Sequence, residues 1–170
     1  MINTKHRTFE QAMTAVSARM QEVFVGSPAV VKPQMRHLCD SAGKQLRAGA
    51  LLACAMDPEG LIHPDAAELA AAIELLHLAT LVHDDIIDDA ETRRGKLSLQ
   101  KKFGQKTAVL CGDYLLCMAM NMALSVSDRD RYKDKERPGR KFPRYLTALC
   151  LGELNEWSNN NNFQLSLKEY

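Results

Sequence analysis

The chain has 170 residues, 46% of them hydrophobic and 25% charged, with a formal net charge of +1. That is one domain's worth of sequence with apolar side chains enough for a substantial core, and the balanced charge removes the electrostatic case for a nucleic-acid partner. The five cysteines lack CxxC or Cys/His ligand spacing, which argues against zinc; they read as free buried thiols of a reducing, cytoplasmic compartment.

The first 20 residues contain no apolar stretch of the kind a signal peptide needs, and the uncharged run 114–126 is too short for a bilayer. Residues 8–25 place Phe9, Met13, Val16, Met20 and Val23 at helical spacing, with Glu10, Gln11, Arg19 and Glu22 largely off that stripe. This predicts a packing helix ended by Gly26. Ser27 is then the expected cap, and Pro28 the lead-in, of a second helix over 29–40. Residues 41–47, SAGKQLR, form a glycine-containing turn into a helix over 45–56. Such a helix start can present backbone N–H groups to an anion, with Lys44 and Arg47 adding charge, although an ordinary capped helix has the same pattern. The helix is apolar on most sides and is expected to be central. Residues 57–60, DPEG, break it.

A long helix is expected over 64–89, with Asp65 and Glu68 in its first turn. Residues 73–95, IELLHLATLVHDDIIDDAETRRG, run from an apolar helix into four aspartates and two arginines. Ile73, His77, Thr80, Asp84 and Asp88 share one face, and Asp85 stands about 100° around from Asp84. Acids at a helix C-terminus oppose the macrodipole, so a purely structural sequence would tend to avoid them there. Carboxylates alone suit Mg²⁺, which keeps several waters and is completed by phosphate oxygens. Arg93 and Arg94 follow, and the guanidinium matches phosphate geometry. Asp84, Asp85, Asp88, Arg93 and Arg94 thus suggest a metal-bridged diphosphate site.

Residues 97–103 read as a short helix stopped by Gly104, and 105–127 as a strongly apolar helix in which Asp113 needs a partner, an arginine or a capped loop. Met118 and Met122 lie on its core stripe. The mixed charge run 127–144 is expected to be an exposed loop, 145–157 another helix, and 165–170 the start of one more. The whole is read as a single helical domain, 1–170.

The segment HDDIIDDAETRRG resembles the first aspartate-rich motif of the trans-type polyprenyl diphosphate synthases. An upstream GK...R, the ELLH at 74–77 and a downstream GDYLL at 112–116 occur in that family's order, and the similarity runs over about 32–170. The resemblance implies an all-α antiparallel bundle of the isoprenoid synthase type, here roughly its first half. It implies Mg²⁺ on Asp84, Asp85 and Asp88, and head-to-tail condensation of isopentenyl diphosphate with an allylic prenyl diphosphate. Lys44, Arg47, His77 and Arg94 would hold the isopentenyl diphosphate, and Arg93 the allylic one. Small residues at Ala79 and Thr80, with Met118 on a later helix, imply a cavity for a medium or long product. His83 is given a packing or supporting role. Gln45, Ala48 and Ala42 depart from the commoner arginine, proline and glycine of the family pattern.

A second aspartate-rich motif, which the family carries on the opposite wall, is absent from the sequence, so the 170-residue chain is expected to be inactive alone. The apolar faces this leaves open imply a homodimer or higher oligomer, and a lipid-like product implies transient contact with a membrane surface. A non-catalytic subunit or helical interaction module is the alternative; a class I terpene cyclase fragment is a further one, which the arginine pair and the GK...R segment weigh against.

Overall fold

The computed structural model describes residues 5–39, 43–127, 138–160, 162 and 164–166. Helix α1, Phe9–Val25, starts in a capping box: the Gln11 N–H donates to Thr8 Oγ1 at 3.4 Å, and the Thr8 N–H to Gln11 Oε1 at 3.1 Å. Its apolar stripe buries Ala12, Val16, Met20, Val23 and Phe24. Ser27 closes this helix instead of capping the next, because its Oγ donates back to the Phe24 carbonyl at 2.7 Å. The chain turns through 28–31, and α2, Lys32–Cys39, begins later than its spacing predicts.

Helix α3, Leu46–Cys54, is less central than expected. Only Ala48 and Leu52 are buried, and Leu46 is exposed, because a helix this short reaches only α1 and α4. The central element is α4, Pro64–Ile87, with Pro64 in its first turn and the His63 side chain accepting from the Asp65 N–H at 3.1 Å. Ala70, Ala71 and Ala72 are all fully buried, so at that level the helix is enclosed on every side, and small side chains let its neighbours close in. It packs against α1, α3, α5 and, most extensively, α6.

A two-stranded hairpin follows α4 where the sequence pattern suggests only a loop. Strand β1, Thr92–Arg93, pairs antiparallel with β2, Lys96–Leu97, and the turn residues Arg94 and Gly95 both have positive φ, 52° and 77°. This is the two-residue primed turn whose twist matches the strands. The expected helix over 97–103 accordingly begins only at Leu99: Leu97 belongs to β2, and the Ser98 side chain caps α5, Leu99–Phe103. Gly104, at φ 89°, redirects the chain into α6, Gln105–Ser127.

The charge run 127–144 lies largely outside the described residues. Its far end is a 3₁₀ turn, Pro138–Lys141, leading into α7, Phe142–Ser158, which starts before the predicted 145 because Pro143 sits in its first turn, where proline costs no hydrogen bond. The helix start expected at 165–170 falls mostly outside the described residues; Leu165 and Ser166 are not helical. Phe142 is the one buried residue described on α7, and Tyr145, Leu154 and Trp157 stand exposed. The architecture is all-α apart from the hairpin, with the core between α4 and α6.

Two sequence expectations change. Only Cys111 is buried; Cys54, Cys117 and Cys150 are exposed free thiols on faces no other element covers. Helices Pro64–Ile87 and Gln105–Val126 are each long and apolar enough to cross a membrane, since a span tolerates the few charges that interrupt an uncharged run. Core helices pass the same test, and these two pack on each other.

Candidate active site

The aspartates sit where α4 ends. Asp88 keeps helical geometry at the C-cap, φ −83° and ψ −1°, and its N–H donates to the Asp84 carbonyl at 2.8 Å, so the two carboxylates remain one turn apart on one face. Asp84 is half-buried and Asp88 exposed. Burial first, and the charge of Asp88 second, hold the Asp84 carboxyl above its ordinary value, with Arg93 opposing. The pair repels itself, and a cation would relieve it.

Asp85 does not share that face. It is 4% exposed, and its Oδ1 accepts from Arg93 Nε at 2.8 Å and Nη2 at 2.6 Å. One carboxylate is therefore committed to one guanidinium, and hydrogen bonding to Asp85 is the first cause raising the pKa of Arg93. Among the described residues no three His, Cys, Asp or Glu side chains are gathered so as to hold a metal ion. Of the three aspartates expected from the sequence, Asp84 and Asp88 share a face, while Asp85, about 100° around the helix, faces the hairpin and pairs with Arg93. An all-oxygen set of two carboxylates fits Mg²⁺, which draws its remaining ligands from water and phosphate.

Three side chains that carry no motif secure this helix end. Gln100, 9% exposed, donates its amide to the carbonyls of Asp85 at 2.5 Å and Ala90 at 3.2 Å. The Asp85 carbonyl also accepts the Ala90 N–H at 2.9 Å, so Gln100 adds a second donor to each acceptor at this helix end. Ser98 Oγ donates to the Ala90 carbonyl at 2.7 Å, and Lys101 pairs with Asp89 at 3.0 Å. Nothing in the local sequence marks Gln100 or Ser98 for this role.

The hairpin turn folds Arg94 back onto the 41–47 segment, of which Ser41 and Ala42 lie outside the described residues. The Arg94 guanidinium covers Gly43 so closely that a Cβ there would collide with it. Arg94 thereby joins the exposed Lys44 and Arg47. His77 feels two of these cations: burial first and Arg47 second lower its pKa, Arg94 adds to this, and Glu74 and Asp84 oppose. Burial and the arginines both favour the neutral imidazole, which can donate an N–H without carrying charge. The expectation that the start of α3 offers open N–H groups is partly overturned, because the Ala48 N–H donates to Glu74 Oε1 of α4 at 2.9 Å. An anion here meets mainly side chains.

Ala79, 1% exposed, packs within the core, while Thr80 is half-buried with its Oγ1 donating to the His77 carbonyl at 2.9 Å, and Met118 is half-buried on α6. Among the described residues Asp113 finds neither an arginine nor a capped loop; it is exposed, and its Oδ1 lies 3.3 Å from His83 Nε2. Gly112 admits that imidazole, since a Cβ there would overlap it. The GDYLL segment is thus the seat of His83, which packs against Gly112 and faces Asp113.

A family model described as polyprenyl synthetase matches residues 28–170. The chain is 31% identical over 134 residues to heptaprenyl diphosphate synthase component 2 of Bacillus subtilis, covering 79% of this chain and 36% of that one. It is 35% identical over 122 residues to nonaprenyl diphosphate synthase of Mycobacterium tuberculosis, covering 67% and 35%. The crystal structure of heptaprenyl diphosphate synthase from Staphylococcus aureus superposes with a TM-score of 0.78 at 28% identity, over 96% of this chain and 50% of that one. The chain therefore spans about half of that structure and under two-fifths of those curated relatives. With the aspartate pair, the hairpin arginines and the 43–47 turn set in one bundle, and a family match over most of its length, the chain belongs to the polyprenyl synthetase family.

Proposed function

We propose that this chain forms one wall of a Mg²⁺-dependent polyprenyl diphosphate synthase, which joins isopentenyl diphosphate head-to-tail to an allylic prenyl diphosphate and gives a medium or long chain. The observation that carries the reading is the placement of two clusters on one helix. Asp84 and Asp88 crown α4, and two turns below them His77 lies in the field of Arg47 and Arg94, with Lys44 next to the Gly43 that Arg94 covers. Asp84 and Asp88 would hold Mg²⁺, whose chemistry there is to neutralise charge on the allylic diphosphate as its C–O bond ionises. Arg93 lies on the same side, anchored by Asp85 and adding positive potential. Lys44, Arg47 and Arg94 supply charge, and neutral His77 an N–H, to bind and orient the diphosphate of isopentenyl diphosphate. A new C–C bond then forms from its double bond, and the adduct loses a proton.

The relatives named for heptaprenyl and nonaprenyl products support the longer product class. The first of them is called a component, which favours a second polypeptide for this chain as well, and the exposed apolar residues of α7 favour a covering partner. Alone, the 170-residue chain is expected to bind Mg²⁺ and pyrophosphate but not to incorporate isopentenyl units. The test is a thermal-shift titration with MgCl₂ and pyrophosphate: at 100 times Kd the gain is about 2.7 kcal/mol. Asp84→Asn and Asp88→Asn should abolish the Mg²⁺-dependent part of it, while Asp85→Asn should keep most of that part. An unchanged response in the Asp84 and Asp88 variants would refute the metal assignment, and robust isopentenyl incorporation by the purified chain would refute inactivity.

A further inference from the structure

Helix α3 lacks a cap of its own. Gln45, its N-cap, is in the left-handed region at φ 52° and makes no capping bond; its amide goes instead to α1, where Oε1 accepts from Ser17 at 3.0 Å. The donor left over at Ala48 is met from another helix, by the Glu74 carboxylate of α4 at 2.9 Å. Glu74 is 8% exposed, and a buried carboxylate at this depth is rare unless paired. Its one hydrogen bond falls at the positive end of α3, where the macrodipole favours an anion.

We infer that Glu74 is a positioning residue, which fixes the turn bearing Lys44 and Arg47 in register with His77 by bonding the Ala48 N–H across two helices. Glu74 lies three residues before His77 on α4, and Ala48 directly follows Arg47 on α3, so a single hydrogen bond ties the basic turn to the imidazole it must work beside. The same bond removes one N–H from any anion, which leaves recognition to Lys44, Arg47, Arg94 and His77. The inference rests on the proposed diphosphate role of those side chains.

Glu74→Asp pulls the carboxylate back by one methylene and keeps its charge, whereas Glu74→Gln keeps length and an acceptor oxygen. Calorimetry with inorganic pyrophosphate and Mg²⁺ on the 170-residue chain should show affinity about tenfold weaker in Glu74→Asp, the order of one lost 1.4 kcal/mol, with Glu74→Gln restored to within about threefold. In parallel, amide exchange should accelerate at Ala48 in Glu74→Asp and not in Glu74→Gln. A Glu74→Asp variant that melts lower but binds pyrophosphate like the wild type shows a merely structural role and overturns the inference, as does unchanged exchange at Ala48. Lys44→Ala and Arg47→Ala report on the underlying reading: if they bind as tightly as wild type, the diphosphate assignment fails, and with it the positioning role.

Discussion

Replacing Arg93 by methionine removes the cation from a carboxylate that is almost wholly buried. Asp85 accepts twice from Arg93, at 2.8 and 2.6 Å, and has 6% of its side chain exposed, against 34% for Arg93. Breaking a fully buried pair costs about 3–5 kcal/mol; the exposed third of Arg93 lets water reach the site and lowers the expectation to about 2–3 kcal/mol. For a domain of this size that is a fall in Tm of roughly 4–12 °C. Asp85→Asn alone keeps an oxygen for Arg93 and should cost about 1 kcal/mol. The double variant removes both charges and should regain part of the loss, giving a coupling energy of about 1–3 kcal/mol in a urea-melt cycle followed by circular dichroism. Additivity within about 0.5 kcal/mol, or a cost below that for Arg93→Met, would refute the claim that Asp85 is an anchor for the hairpin.

Asp84 gives a pH prediction of definite sign. Burial and Asp88 raise its folded pKa above 3.8, so above that pH the unfolded chain ionises more readily, and stability falls as pH rises through the folded value. Asp84→Asn should therefore be more stable than wild type at pH 7, by about 0.2–0.5 kcal/mol for a like-charge pair one turn apart, and equal to it below the ordinary value; urea melts at pH 3 and pH 7 decide. Gln100→Leu removes one donor each from the Asp85 and Ala90 carbonyls, which keep the Ala90 N–H and Ser98 Oγ, and should cost about 0.5–1.5 kcal/mol, with faster amide exchange across the hairpin; an unchanged urea midpoint would count against it. Ala79→Phe should destabilise by about 1–3 kcal/mol because Ala79 is packed in the core; a loss under 0.5 kcal/mol would reveal open space beside it.

Periodicity and residue chemistry made much of this legible, and the limits are specific. The four-residue spacing of Asp84 and Asp88 fixes their common face on any helix, and the bond from Asp88 N–H to Asp84 carbonyl maintains it. The direction of Asp85 depended on the hairpin, which rests on positive φ at Arg94, a residue that carries no such preference. Lys44 and Arg47 were visible as charge beside a glycine, but the reason for Gly43, the Arg94 guanidinium lying across it, links segments some 50 residues apart. Glu74 and Gln100 act through backbone groups of other helices, and backbone groups leave no mark in sequence. The misplacement of α3 as central has the same root: local apolarity says that a face can be buried, not that a neighbour exists to bury it.

Helix α4 acts as a rigid ruler between the two halves of the site. Seven residues separate His77 from Asp84, about 10 Å at 1.5 Å per residue, so the distance between the imidazole level and the carboxylate level is set by backbone geometry. The cations of each level are brought to that ruler from elsewhere. The hairpin brings Arg93 to the upper level and Arg94 to the lower with two adjacent residues, one in a strand and one in the turn, aimed in different directions. Glu74 brings the basic turn to the lower level. Because both attachments are made to α4 itself, distortion of the outer helices need not change the separation of the two levels, whereas a kink between His77 and Asp84 would. The β-branched residues and alanine in that interval, without glycine or proline, suit a segment whose length has to stay fixed.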